Sequence, residues 1–491
     1  MTLAPIWRTR LYATGGSLLA VWIGFAVAQQ ELFWPLLFLA GIGALLVIRL
    51  QSLPLATVLL GMALLGYIVG NRGFAQLYIA NSLPLLPAEL ALLVGGVILI
   101  VQCAFRREPP FRRDALNLAL LAWIIICACR FFFDVRLYGF TAIRDFATVY
   151  YAGFFFLAQE AMREPAGRRF LTGCLLAGCA LLPLTEFLSE QFPGFFLNTL
   201  TLRGTPLIYY KGDLIGTFMA AGAVLFFMRF EARRQWWALV LSLGLIGAAL
   251  ATNNRASMLG LMVVTAWLAL GGRWRFAAVQ AVAGTGAVIC LLLAAYLTGK
   301  SWVQTPLNGV YERVISLTDP LGQGNYSSDD AFNKGDNNLF RYVWWRAVVD
   351  ETWGQNPYLG LGFGHDLADR FVQEYLPEAG EEFSTRSPHN VLLTLFGRTG
   401  AAGVLSFLLV TAVMAQRTWR AIRREPPENA GMWCGAWVIL VSACFGVVLE
   451  GPMGAVVFWI ALGVANSASV MEEPLAEAAP AVALAEPTVA A

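Results

Sequence analysis

Apolar residues run in long blocks along this chain instead of alternating, and the blocks have the length of membrane spans. Fourteen stretches begin near Leu11, Leu32, Leu53, Ala88, Ala115, Phe146, Phe170, Asp213, Trp236, Ala256, Phe276, His389, Gly431 and Gly454. Each offers the ~17–25 apolar residues that a helix needs to cross a hydrocarbon core of ~30 Å. One long polar excursion, Lys300 to Pro388, interrupts them with thirteen acidic and seven basic side chains. The pattern predicts an all-α polytopic integral membrane protein of about fourteen transmembrane helices. Helices one to eleven fall in 1–298, a large loop domain in 299–388 and helices twelve to fourteen in 389–470. An aperiodic Ala/Pro/Val/Glu tail, 471–491, is expected to be disordered.

Composition excludes an ordinary soluble domain: 58% of residues are hydrophobic and 13% charged, against roughly one half and one quarter in globular chains. Charge then orients the helices. Short cytoplasmic loops retain Lys and Arg, and with the N-terminus inside every even-numbered connection is basic, from Arg8 and Arg10 to Arg417, Arg420, Arg423 and Arg424. Both termini are thus expected in the cytoplasm and the large loop outside, in the periplasm, where there is no ATP or nucleotide sugar. Seven basic residues remain in short outer connections: Arg72, Arg130, Arg136, Arg144, Arg203, Lys211 and Arg255. Either they snorkel at the interface or they hold an anionic ligand on the outer side. All eight cysteines lie in apolar segments without a CxxC, so neither a disulfide framework nor a zinc site is implied. The first apolar run is long for a signal peptide and reads as a retained helix.

The two histidines, His365 and His389, both belong to the outer region. His389 follows Pro388, which favours the first turn of a helix, so its imidazole should stand at the entrance of the twelfth span. There it would act as a base for a sugar hydroxyl or merely cap a helix. Gly360, Gly362 and Gly364 read as a tight turn with unusual backbone angles; a dinucleotide fingerprint would need a strand-to-helix context and the other side of the membrane. Asp319 to Asn338 is rich in Asp, Asn and Gly but lacks the order of a calcium loop, so a mobile loop is expected and no metal.

Several motifs follow one another on the outer side. Thr252-Asn253-Asn254-Arg255 precedes a helix, Arg341-Tyr342-Val343-Trp344-Trp345-Arg346 opens an amphipathic one, Asn356-Pro357 leads into the glycine run, and Pro388-His389-Asn390 ends the loop. In this order they resemble the O-antigen polymerase/ligase family, over about Thr252 to Gly403. The resemblance implies a metal-independent, inverting glycosyltransferase without cofactors at the outer face of the bacterial inner membrane. Its donor would be a polyprenyl-diphosphate-linked glycan and its acceptor a glycan or lipid-linked glycan. Membrane lipids and chain-length or flippase proteins would be its partners, and nucleic acid would not.

A repeat-unit polymerase is the first reading on span number, with a ligase to lipid A core as the alternative. A lipid-linked glycan transporter would show two similar halves instead. His389 is the implied base, and Arg255 and Arg341 the implied holders of the diphosphate, with Arg203 and Lys211 as helpers. Arg398 departs from the family, which more often carries an acid there. About 13 Å into its helix, it should face the protein interior, paired with a carboxylate such as Glu186 or Glu450, or line the substrate cavity.

Overall fold

The computed structural model describes residues 53–77, 86–252, 254–298, 319, 329–375 and 385–478. The two spans expected before Leu53, most of Lys300 to Asn338 and residues 479–491 lie outside these. The described chain is almost wholly helical. The first span is α1 (Leu55–Leu65), a π-helical turn (Gly66–Gly70) and α2 (Asn71–Ala75). Then come α3 (Pro87–Arg106), α4 (Ala115–Tyr138), the short α5 (Phe140–Asp145), α6 (Ala147–Tyr150) and α7 (Gly153–Ala161), and α8 (Pro165–Gln191). A two-stranded hairpin, β1 (Thr201–Leu202) and β2 (Thr205–Pro206), precedes α9 (Gly212–Arg233), α10 (Trp236–Ala251), α11 (Arg255–Leu270) and α12 (Arg275–Thr298). The polar region supplies α13 (Asp329–Gln355) and α14 (Asp369–Tyr375). Last are α15 (Val391–Arg424), α16 (Pro427–Ala443) and α17 (Pro452–Ala478).

Six of these segments are long and apolar enough to cross a membrane: Leu55–Ala75, α3, α4, α8, α9 and α15. α10, α11 and the first part of α17 are apolar but shorter. An all-α membrane protein is therefore what the chain forms. α9 is its central post, buried at every position from Leu214 to Met228. Small residues such as Gly216, Ala220 and Gly222 let α10, α11 and α16 approach it closely. α16 in turn packs on α17, and α4 on α15.

Four expectations need correction. The span beginning at Phe146 is not one helix: the chain runs through α5, α6 and α7, with Gly139 at φ +55° and Gly153 at the breaks. Such interruptions are tolerated where protein, not lipid, surrounds them, and Tyr151, Ala152 and Phe154 are fully buried. Arg130 and Arg136 lie inside α4 and not in a connection; Arg130 pairs with Asp134 one turn on. Arg341 to Arg346 lies mid-way along α13 instead of opening it. α17 continues through Ala478, into the segment from 471 that composition gave to a disordered tail.

The glycine run explains a break in α15. Gly400 stands at φ +60° inside that helix, which interrupts the regular ladder. In an unbroken helix the Ala401 and Ala402 N–H groups would donate to the carbonyls of Gly397 and Arg398. Here Ala401 donates to the Pro357 carbonyl (2.8 Å) and Ala402 to Tyr358 (3.1 Å), while Gly397 and Arg398 accept from Leu361 (2.7 Å) and Gly362 (3.1 Å). Two lost helical bonds are replaced by four to the loop, so no backbone group is orphaned. This docking needs glycine: Gly360, Gly362 and Gly364 have φ of +71°, +106° and +97°. A Cβ on Gly360 would also strike the α15 backbone and one on Gly364 the Tyr138 side chain.

Two carboxylates complete the seat. The Phe363 N–H donates to Asp134 Oδ2 (2.7 Å) and the Gly364 N–H to Asp145 Oδ2 (3.1 Å). The Phe363 ring is buried between Phe131 and Phe146. Arg398 belongs to this seat: its Nη1 donates to Asp145 Oδ2 at 2.6 Å, with both side chains buried. Its carboxylate partner is thus Asp145, not Glu186 or Glu450. The physical reason is the interruption after Tyr138, which turns α5 inward and brings Asp145 under the break in α15.

Candidate functional site

A cavity of about 1060 Å³ opens between the end of α8, the segment entering α9, the α10–α11 turn and α13. Arg255 and Arg341 both line it, although 86 positions separate them in sequence. Asn254 fixes Arg255. Its Oδ1 accepts the Ala256 and Ser257 N–H groups, capping α11, and its Nδ2 donates to the Asp213 carbonyl on α9. One side chain therefore sets the start of α11 against the start of α9.

Arg341 reaches the cavity from α13, its Nη1 donating to the Phe445 carbonyl at 2.9 Å. Burial pushes its guanidinium below its ordinary range and the charge of Asp213 opposes this. A cation so desolvated gains from an anionic ligand. α13 is held over the bundle by its apolar face: Trp344, Val348, Leu367 and Phe371 form a second small core. Within it the Trp344 indole donates to the Leu367 carbonyl (2.8 Å).

His389 is not one of the cavity residues; it adjoins them through Trp345, which lines the cavity and bonds the neighbouring Pro388 carbonyl. The helix starts at Val391 and its cap is Asn390, which accepts from Leu392 (3.0 Å) and Leu393 (3.2 Å). His389 is therefore not in the first helical turn and does not cap it. It sits one residue earlier with φ +57°, a conformation that costs a non-glycine residue about 1–2 kcal/mol. Its neighbours hold it there. The Trp345 indole donates to the Pro388 carbonyl (2.6 Å) and Trp344 packs edge-on against the imidazole at 5.9 Å. The Ser387 Oγ meets Thr394 Oγ1 (3.3 Å), which donates to Glu450 (2.9 Å). Burial, followed by the charges of Arg341 and Lys211, pushes the imidazole down to about 4. It is neutral at physiological pH and able to accept a proton.

The remaining residues fall in three different places. Lys211 precedes α9, and its Nζ lies 3.4 Å from Asp213 Oδ2. Its backbone N–H is held by Asn71 (3.0 Å). Arg203 is at the tip of the hairpin, where it and Gly204, at φ +51° and +81°, form a two-residue turn. It is exposed and is not one of the cavity residues. Arg398 is in the loop seat and does not line the cavity either. His365 is likewise away from the cavity, its Nε2 3.0 Å from Glu351 Oε1.

The lining also has acidic and aromatic residues. Glu186, Glu190, Tyr210 and Tyr342 are among them, together with Asp213 and Trp345. Reasoning from sequence had no use for Glu190 or Asp213. The only available signal was an acid at the first turn of a span, which reads equally well as a helix-dipole partner.

The described chain is thus an α-helical membrane bundle with a cation-lined cavity. Residues 237–408 match the family model described as O-antigen ligase, which supports membership of the O-antigen polymerase/ligase family. The matched segment contains Arg255, Arg341, His389 and Arg398, while Arg203 and Lys211 precede it. No curated protein matches the chain.

Proposed function

We propose that this protein transfers a glycan from a polyprenyl-diphosphate carrier to a sugar hydroxyl at the outer face of the bacterial inner membrane. The observation carrying the reading is the convergence of Arg255 and Arg341 on one cavity, with His389 next to Pro388, whose carbonyl the cavity residue Trp345 holds. The two guanidiniums hold the diphosphate, for which planar paired donors are suited. The acceptor lies against the wall of Glu186, Glu190 and Tyr210, whose oxygens accept from sugar hydroxyls. Its hydroxyl oxygen attacks the anomeric carbon as the bond from that carbon to the phosphate oxygen breaks. The electron pair leaves with the polyprenyl diphosphate and the hydroxyl proton passes to His389. One displacement inverts the anomeric centre and requires neither metal nor nucleotide.

Arrival of the diphosphate also strengthens the base. Arg341 and Lys211 depress the imidazole, and an anion between them offsets that effect. The polar region and α13 face the periplasm, with both termini in the cytoplasm. Cysteines placed at Ser328 and Glu425 of a cysteine-free variant test this: an impermeant outside reagent should label the first and spare the second.

Repeat-unit polymerisation is the first reading of the acceptor. The description of the matched family favours keeping a second, ligation of finished glycan to lipid A core. A deletion strain separates them. Loss of a polymerase leaves single repeat units on the acceptor, and loss of a ligase leaves long chains stranded on the carrier lipid. An unchanged glycolipid ladder would refute both.

A further inference from the structure

The cation cluster holds a carboxylate that the transfer step does not use. Asp213 lines the cavity on the first turn of α9, with its Oδ2 3.4 Å from the Lys211 ammonium. Its charge also acts on Arg341 and His389. The backbone at this position is fixed, because the Asp213 carbonyl accepts from both Asn254 Nδ2 and Thr217 Oγ1 (2.8 Å). The side chain is not: it is 47% exposed, and among the described residues its oxygens meet the Lys211 ammonium. A carboxylate placed beside cations on a cavity lining stands where an anionic ligand would.

We propose that Asp213 is a displaceable counter-ion. It neutralises Lys211 and Arg341 while no donor is present, turns away when a diphosphate arrives, and repels the polyprenyl diphosphate product so that it leaves. The inference rests on reading the cavity as a diphosphate site. The exchange is energetically cheap, since a half-exposed ion pair contributes little to stability. A diphosphate, with more charge and with bidentate bonds to arginine, outcompetes it. Without the carboxylate, the donor and the product would both bind more tightly. Asp213 therefore trades affinity for turnover.

The test is binding of inorganic pyrophosphate to the purified full-length protein in detergent at low ionic strength, followed by calorimetry. Asp213→Asn should bind about tenfold more tightly than wild type, as removal of one nearby like charge demands, and Asp213→Glu should match wild type. In transfer assays Asp213→Asn should lower KM and kcat together, whereas a merely structural lesion raises KM. Asp213→Ser provides a second neutral variant should the amide fail to fold. Folded neutral variants that bind pyrophosphate no more tightly than wild type overturn the counter-ion. If wild type and neutral variants alike fail to bind pyrophosphate, the diphosphate reading falls and takes this inference with it.

Discussion

In the seat beneath the glycine loop, the Arg398 and Asp145 side chains are 4% and 6% exposed and meet at 2.6 Å. At the cavity, the lining residue Asp213 and its neighbour Lys211 are 47% and 24% exposed and stand 3.4 Å apart. Both regions pair an arginine or lysine with an aspartate. The buried pair is also tied to the backbone, with Gly364 donating to the same Asp145 oxygen. Among the described residues the side chains of the exposed pair meet each other, and Asp213 lines the same cavity as Arg341. Burial with full bonding makes charge a fastener, because separating such a pair leaves an uncompensated ion in a low dielectric. Partial exposure makes it exchangeable.

The largest expected effect falls on the cavity side. His389→Ala should reduce transfer by about two to four orders of magnitude, the scale of losing a general base, with yield and thermal unfolding unchanged. His365→Ala, remote from the cavity, should be far milder. Equal activity in the two variants would make His389 a structural turn residue.

Next comes the seat. Arg398→Leu leaves Asp145 without its principal cation and should cost about 3–5 kcal/mol of stability, as breaking one side of a buried ion pair does. The measurement is thermal unfolding in detergent. Exchanging the pair, Arg398→Asp with Asp145→Arg, should recover part of the loss relative to either single change. A stable and active Arg398→Leu protein would erase the distinction between fastener and exchangeable pair.

Arg341→Lys and Arg255→Lys sharpen it from the other direction. If each guanidinium grips phosphate by two parallel bonds, a single ammonium loses one charge-assisted hydrogen bond, worth about 1.5–3 kcal/mol. Transfer should fall about tenfold to a hundredfold while stability holds. Full activity in both variants would remove them from the leaving-group site.

The smallest effect is a displacement of the pH profile. His389 is depressed to about 4, so its base form persists until acid reaches that range; an unperturbed imidazole would protonate near 6.5. The acid limb of kcat/KM, which reports the free enzyme, should lie well below 6.5. The limb of kcat should lie higher, because bound diphosphate offsets the charges of Arg341 and Lys211. Linkage has the same sign. A histidine depressed in the folded state stabilises it at pH above 6.5, and this contribution is lost as pH falls toward about 4. Coincident limbs for kcat and kcat/KM would separate His389 from the diphosphate.

Much of this molecule is written locally. Blocks of apolar residues and three glycines in five positions depend on neighbours in the chain, so span-forming segments and the abnormal turn at Gly360 to Gly364 are legible from the sequence by itself. The resemblance carried by Arg255, Arg341 and His389 is legible too, because it consists of order and spacing.

What the tertiary structure decided are relations between distant residues. Asp145 and Arg398 are 253 positions apart, and no periodicity marks a carboxylate near an interrupted span as the partner of an arginine near a broken one. The break at Gly400 could be placed only once the loop supplied its four replacement bonds. Asp213 became a member of the cation cluster only when Asn254 drew α11 against α9. A hydrogen-bond ladder or an apolar face is a property of consecutive residues and can be read from them. The pairing of charges depends on which surfaces exclude water together, and that exists only in the folded bundle.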